Sequence, residues 1–156
     1  MVSNSGGGYS RWKDIAVNRW REDVTCDNWG IFCFVRDLDT GNLWSSGYQP
    51  TLQQPESYEV VFSQGRADIR RKDFDIEIHT EIVVSAEDDV ELRRVHLTNR
   101  SRKRRHLEIT SYAEIVLASV AADDSHQAFS KLFVQTEILK ERSAIICNRR
   151  PVINLE

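Results

Sequence analysis

Cysteine is scarce in this sequence. Cys26, Cys33 and Cys147 are the only three, and their separations match no metal-binding or redox motif. A low, odd count fits a reducing compartment. Long apolar runs are missing as well. Residues 1–20 hold no signal-peptide core, and nowhere do eighteen apolar residues follow one another. The expectation is therefore a cytoplasmic protein. No strand–helix–strand alternation is present, which argues against a doubly wound sheet. The one glycine run is not followed by Gly-Lys-Ser or Gly-Lys-Thr, so it is no phosphate loop. No nucleophilic serine or cysteine motif occurs. His79, His96, His106 and His126 are scattered without metal-ligand spacing, so no metal is expected. Neither sign of charge prevails: 21 Lys and Arg against 24 Asp and Glu leave a net charge of −3. The basic run of Arg100, Arg102, Lys103, Arg104 and Arg105 lacks interleaved aromatics, so nucleic acid is not an expected partner.

What is present is alternation. With 156 residues, 40% of them hydrophobic and 29% charged, the chain can build one domain with a real core. The strongest signal lies between Asp88 and Leu117. Leu107, Ile109, Ser111, Ala113, Ile115 and Leu117 fall on one face of an extended segment, and Glu108, Thr110, Tyr112, Glu114 and Val116 on the other. Before it, Val90 and Leu92 are in one phase and Val95 and Leu97 in the other, which predicts a bulge at Arg93-Arg94. Asn99–Arg105 then reads as the turn of a hairpin. Phe74, Ile76, Ile78, Thr80, Ile82 and Val84 predict a second long half-buried strand.

Other segments follow suit. Ile31–Val35, apolar on both faces, and Leu43-Trp44 flank the turn Asp39-Thr40-Gly41-Asn42, giving a hairpin over 30–46. Tyr58, Val60 and Phe62 alternate. Ala67 and Ile69 start a strand whose run from Arg66 to Lys72 is charged enough to guard a sheet edge. Ala118–His126 reads as a loop or short helical turn, Leu132–Ile138 as a strand, and Ala144–Cys147 as a last short one. Residues 11–23 allow either a short helix or an extended segment. Eight or more strands with little helix predict an all-β fold, an antiparallel β-sandwich. Residues 1–156 are expected to form one such domain or a fragment of one. Residues 1–28 would be an irregular or partly helical lead-in. The ends look like cut points of a larger protein, and Leu155-Glu156 like an expression-vector remnant.

Asp37 with Asp39, and Asp88 with Asp89, could be imagined as glycosidase-like pairs but are better explained as turn residues. Glu108 and Glu114 lie on the predicted outer face with nothing to single them out. Gly6-Gly7-Gly8 is either a flexible segment or a loop whose backbone approaches a partner closely. The basic turn is either a solvated tip or a contact with an acidic neighbour. Trp12, Trp20, Trp29 and Trp44 favour core or interface over sugar stacking.

The series Asn4–Ser10, Arg11-Trp12, Asn18–Asp23, Asp27, Trp29-Gly30, Arg36-Asp37, Gly41 and Trp44-Ser45 resembles the N-terminal part of glycoside hydrolase family 94, formerly glycosyltransferase family 36. Asp88–Ser101, Ile109–Leu117 and Ala128–Glu137 continue the similarity, in the version found in the phosphorylase-like region of cyclic β-1,2-glucan synthases. That family also holds cellobiose, cellodextrin and chitobiose phosphorylases. The resemblance implies a supersandwich related to galactose mutarotase-like domains. It also implies a separate (α/α)6 barrel in the parent chain that carries the general acid and the phosphate-holding residues. Nothing here can form that barrel, so no catalytic residue is assigned. Inorganic phosphate would be the co-substrate of the parent enzyme, an inverting phosphorylase or a synthase, and this chain needs no cofactor of its own.

Three functional expectations follow. The first is a noncatalytic module that supports assembly and the substrate-site rim. Its partners would be the barrel, a β-glucan and a second copy in a homodimer, and it would be cytoplasmic or the cytoplasmic region of an inner-membrane glucan synthase. Gly6, Gly7, Gly8, Tyr9, Arg19, Arg21 and Asp23 are the candidates for that role. The second is an independent carbohydrate-binding module. The third, a small mutarotase-like enzyme, needs an acid and a base in one cleft, which scattered histidines do not supply.

Overall fold

A computed structural model of the chain describes residues 1–23, 25–125 and 127–150. His126 and the terminal residues 151–156, including Leu155-Glu156, lie outside the described residues. In chain order the strands are β1 Arg11–Trp12, β2 Ile15–Asn18, β3 Ile31–Asp37, β4 Leu43–Ser45, β5 Ser57–Ser63, β6 Arg66–Asp73, β7 Ile76–Val84, β8 Glu91–Asn99, β9 Leu107–Ala113, β10 Ile115–Ser119, β11 Val134–Leu139 and β12 Ala144–Arg149. Two short helices, α1 Val120–Ser125 and α2 Gln127–Lys131, connect β10 to β11. Within residues 11–23, where the sequence leaves helix and strand both open, Arg11–Trp12 and Ile15–Asn18 are strands joined by a turn. No helix among the described residues is long and apolar enough to cross a membrane.

All strand pairings are antiparallel, in sheets ordered β5-β6-β7-β8, β4-β3-β9, β1-β2-β10 and β11-β12. The first two face each other. Val35 of β3 and Trp44 of β4 pack on Ile76 and Ile78 of β7, and all four are almost wholly buried. Phe74, Val95, Leu97 and Leu107 close the cluster, and the Trp44 ring meets Phe74 edge-on at 5.5 Å. This is sandwich packing: each strand gives alternate residues to the space between the sheets. Ile76, Ile78, Thr80 and Ile82 are buried in phase, as the sequence predicts, whereas Val84 at the end of the strand is 61% exposed and Phe74 precedes it.

Three expectations fail, each for a physical reason. β8 and β9 do not form a hairpin. β8 pairs with β7 and β9 with β3, so residues 100–106 cross from one sheet to the other. Arg105 explains why: its Nε donates to Oδ2 of the buried Asp37 at 3.0 Å and its Nη1 to the Phe74 carbonyl at 2.9 Å. One end of the basic turn is thus tied down within the chain, while Arg102, Lys103 and Arg104 stay exposed. The guanidinium holds the Asp37 carboxyl below the usual carboxylate range. Asp37 also caps its own turn, accepting from the amide of Asp39 at 2.8 Å.

The predicted bulge in β8 is also absent. β8 runs in register with β7 from Val84↔Glu91 to Ile76↔Asn99. Val90 and Leu92 are exposed instead, and Arg93 shares the inward phase with Val95 and Leu97. Arg93 tolerates that phase because its guanidinium reaches Glu91 Oε1 at 2.5 Å and the Ile31 carbonyl at 2.8 Å. The irregularity sits in the next strand. The alternation of 107–117 breaks at Glu114, and the pairing of β10 with β2 shifts register between Ile115 and Ala118. Leu117 has a φ of 53°, a left-handed backbone uncommon for a branched residue. The shift turns Val116, rather than Leu117, into the core.

Finally, β6 is no edge. It lies between β5 and β7 and buries Arg71 and Asp73 on the core side with Ala67 and Ile69. Arg71 grips Asp73 through Nε at 2.6 Å and Nη2 at 2.7 Å, and reaches the carbonyls of Gly47 and Gln53. Charge in the sequence marks an edge only when it must stay in water. Here Arg71 and Asp73 are each other's partner inside.

Candidate functional site

The N-terminal loop is built into the fold. Ser3 donates its amide to the Gly7 carbonyl at 2.8 Å, and the Gly8 amide reaches the Trp29 carbonyl at 2.8 Å. The hydroxyls of Ser3 and Ser5 both donate to Asp27 Oδ2. The Gln49 amide donates to the Ser5 carbonyl at 2.8 Å, and the Tyr58 hydroxyl to the Asn4 carbonyl at 2.8 Å. The partner that approaches the glycine backbone is thus this chain itself. A Cβ on Gly7 would stand 2.6 Å from Asp27 Cγ and 2.7 Å from its carbonyl oxygen. Gly8 has a φ of 148° and would place a Cβ 3.0 Å from Val2 Cα. Gly7→Ala is therefore expected to lower stability by about 1–3 kcal/mol, the usual cost of overpacking. Urea denaturation would show it as a lower midpoint with an unchanged slope.

Next to the loop lies an ion-pair cluster. Arg19 follows β2, and its amide donates to the Glu114 carbonyl at 2.8 Å. Its side chain is only 2% exposed. Nε and Nη2 form a fork on Asp123 of α1 at 2.9 and 2.7 Å, and Nη1 reaches Glu114 Oε2 at 2.8 Å. Burial pushes the Asp123 carboxyl up, but the Arg19 hydrogen bonds outweigh it and hold the group below its ordinary value. Arg21 adds contacts to Asp123 at 3.6 Å and Asp124 at 2.9 Å. Asp23 stands apart and exposed. Thr25 donates to it from amide and hydroxyl, at 2.8 and 2.6 Å, lowering its carboxyl to about 2.

Tyr9 joins these parts. Its ring lies 5.2 Å from the Trp20 ring, tilted, and the Arg11 guanidinium sits over it at 4.1 Å. Tyr9, Arg19, Trp20 and Asp123 line a depression of about 10 Å³, room for about one water molecule. It is too small for a sugar. A larger open groove of about 660 Å³ begins on the other side of Tyr9. Arg11 and Trp12 of β1 line it, together with Asp88, Glu91 and Arg93. Trp12 is 41% exposed, and the Lys13 ammonium lies 4.3 Å from its ring centre.

The sequence-derived candidates therefore separate. Gly6–Gly8 belong to the pinned loop, Arg19 and Arg21 to the ion cluster, Tyr9 to the groove wall and Asp23 to an exposed turn. Arg11, Glu91 and Arg93 were not singled out, because nothing in one sequence joins residues 80 positions apart. Trp12 was a sugar-stacking candidate only as one of four tryptophans. Asp123 and Glu114, the partners of Arg19, carried no signal beyond their charge.

A second cavity, of about 370 Å³, opens on the outer face of β5–β8 beside Arg70, Lys72, His79 and His96. Next to it Asp68, His79 and Glu81 bring three ligand-type atoms within 4.8 Å of one another. Their oxygens are already engaged. Arg66 forks onto Asp68 at 2.7 Å through both Nε and Nη2 and reaches Glu81 at 2.5 Å, Arg94 contacts Glu81, and His79 Nε2 lies 2.8 Å from Asp68 Oδ1. The Arg66 hydrogen bonds hold the Asp68 carboxyl at about 2. This arrangement is a cross-strand ion network in which two guanidiniums occupy the place a cation would take.

Comparison with known proteins agrees with this architecture. The family model for the supersandwich domain of glycosyl hydrolase 94 matches residues 1–154. Cyclic beta-(1,2)-glucan synthase NdvB of Rhizobium meliloti is 39% identical over 149 residues, 96% of this chain and 5% of that protein. N,N'-diacetylchitobiose phosphorylase of Vibrio furnissii is 26% identical over 142 residues, 88% of this chain and 18% of that protein. A 3-O-beta-D-glucopyranosyl-beta-D-glucuronide phosphorylase of Paenibacillus borealis is 35% identical over 78 residues, half of this chain and 10% of that protein. The chain thus spans less than a fifth of each of these relatives. With two facing antiparallel sheets and a match along almost its whole length, the chain belongs to the glycosyl hydrolase 94 family as a supersandwich domain, related to a region of cyclic β-1,2-glucan synthase.

Proposed function

We propose that this chain is a noncatalytic module of a β-glucan phosphorylase-like or glucan synthase-like enzyme, serving assembly and the rim of the substrate site. The observation that carries the reading is the pairing of an almost complete supersandwich match with relatives at least five times longer. The chemistry of those relatives needs a general acid and a place for phosphate. The candidate residues here do other work. Gly6–Gly8 and Arg19 hold the N-terminal segment in place, Arg21 extends the ion cluster toward the surface, and Tyr9 and Asp23 reach solvent-facing positions. The partners in this reading are a helical barrel domain of the same parent chain and a second copy of the domain. A cytoplasmic location, in a free enzyme or in the cytoplasmic region of an inner-membrane synthase, belongs to the same proposal.

The test is phosphorolysis. Incubated with β-1,2-gluco-oligosaccharides and inorganic phosphate, this chain alone should release no glucose 1-phosphate. Sustained release by the purified chain would sink the proposal.

A further inference from the structure

We infer that the groove between the β1–β2 hairpin and the neighbouring end of β8 is a subsite for a neutral gluco-oligosaccharide, with Trp12 as its platform. The inference rests on the reading of the chain as part of a glucan-acting enzyme and adds to it a place, a ligand class and a contact residue.

A pyranose ring has two kinds of surface: a rim of hydroxyls that donate and accept, and a face of C–H groups that prefers an apolar, polarisable partner. The groove supplies both. Trp12 is 41% exposed and so offers part of a large, polarisable aromatic surface to the groove. Lys13 and Arg11 lie over the rings of Trp12 and Tyr9, at 4.3 and 4.1 Å, so each aromatic is held by a neighbouring cation. In the same groove the Glu91 carboxylate accepts from Arg93 and from the Ser10 hydroxyl, and Arg93 Nη1 is fixed on the Ile31 carbonyl. These polar groups are therefore placed before any ligand arrives, which lowers the cost of binding. The exposed Asp88 carboxylate has no ion-pair partner among the described residues and offers two acceptor oxygens to vicinal hydroxyls.

Charge selects the ligand class. Arg11 and Arg93 share the groove lining with Asp88, Asp89 and Glu91, so the two signs nearly cancel. A phosphorylated or polyanionic ligand gains little there. A polyhydroxylated neutral one finds donors and acceptors together. The volume of about 660 Å³ lies in the range of small-ligand sites and accommodates a short oligosaccharide. The 370 Å³ cavity on the β5–β8 face differs: Arg70, Arg71 and Lys72 outnumber Glu59 and Glu77 in its lining, and no tryptophan borders it.

The experiment is a titration of the isotope-labelled chain with a β-1,2-linked glucan of about four units, followed by amide NMR. Saturable shifts are expected at residues 9–12 and 88–93, with a Kd on the order of 1 mM. Trp12→Ala should weaken binding about tenfold and Trp12→Phe much less, since an aromatic face remains. His96→Ala, in the other cavity, should leave affinity unchanged. A preserved amide spectrum in each variant separates lost binding from lost fold. Unchanged affinity in Trp12→Ala, shifts gathered around His79 and His96, or no saturable shift at ligand concentrations of roughly 10 mM would each overturn the assignment. The two proposals fail separately. A silent titration removes the subsite and leaves the module reading intact, whereas glucose 1-phosphate release by the chain alone removes the module reading.

Discussion

Trp44→Ala is expected to destabilise the domain by about 3–5 kcal/mol, the range for a large aromatic removed from a closed core. The indole is wholly buried. It lies where the two sheets meet, against Val35, Ile76, Ile78 and the edge of Phe74. Its loss leaves a cavity that strands fixed by ladder hydrogen bonds cannot collapse to fill. Domains of this size are held by only about 5–15 kcal/mol in total, so the variant should lose much of its margin. Trp44→Phe makes the control informative. Nε1 of Trp44 has no hydrogen-bond partner among the described residues, so phenylalanine forfeits packing volume but no polar contact and should cost far less. Urea or thermal denaturation of both variants measures the difference. Equal losses would mean that the indole does not act as core.

The second large effect is expected at Arg19. Arg19→Met removes the fork on Asp123 and strands a carboxylate that is 7% exposed. Breaking one side of a buried pair costs about 3–5 kcal/mol. The loss should fall at the lower end, because Arg21 remains 3.6 Å from Asp123. Arg19→Met combined with Asp123→Leu should recover much of the deficit, since an apolar pair leaves no charge uncompensated. The pH dependence has a definite sign. In the parent the folded Asp123 carboxyl titrates below its ordinary value. Its stabilisation is therefore complete above the unfolded value, about 3.9, and is lost as pH falls through the folded one. In Arg19→Met burial acts on Asp123 with its main partner removed. The folded group then titrates higher, and the variant should regain stability relative to the parent as pH falls. Denaturation midpoints at several pH values between neutrality and acid would show the two curves converging. Parallel curves would remove Asp123 from the account.

The sandwich was legible in the sequence because period-two burial is a local property. Ile76, Ile78, Thr80 and Ile82 declare their face without reference to any other strand. Pairing is not local. The hairpin read between β8 and β9 rested on closeness in sequence, and a turn rich in arginine looks the same whether it folds back or crosses to a facing sheet. What decides is Asp37, more than 60 residues earlier, which offers Arg105 a buried partner. The charged β6 misled for a related reason: hydropathy scores Arg71 and Asp73 as surface residues, and only their mutual fork makes them interior. The candidate site was legible only in pieces. The glycine run and the aromatic–arginine cluster were visible, but Asp27, Glu91, Arg93 and Asp123 come to them through tertiary structure alone.

The fastening of residues 1–9 bears on how this domain acquires its fold. The Asn4 and Ser5 carbonyls accept from the Tyr58 hydroxyl and the Gln49 amide, and the cation that locks the next segment, Arg19, waits for Asp123. The Asn4–Tyr58 and Arg19–Asp123 contacts span 54 and 104 positions, so the segment is fixed only when distant parts of the domain are in place. Loop closure over such separations is slow. Until then Trp20 and the glycine backbone lack these contacts, and apolar surface left open in a partly folded domain favours aggregation.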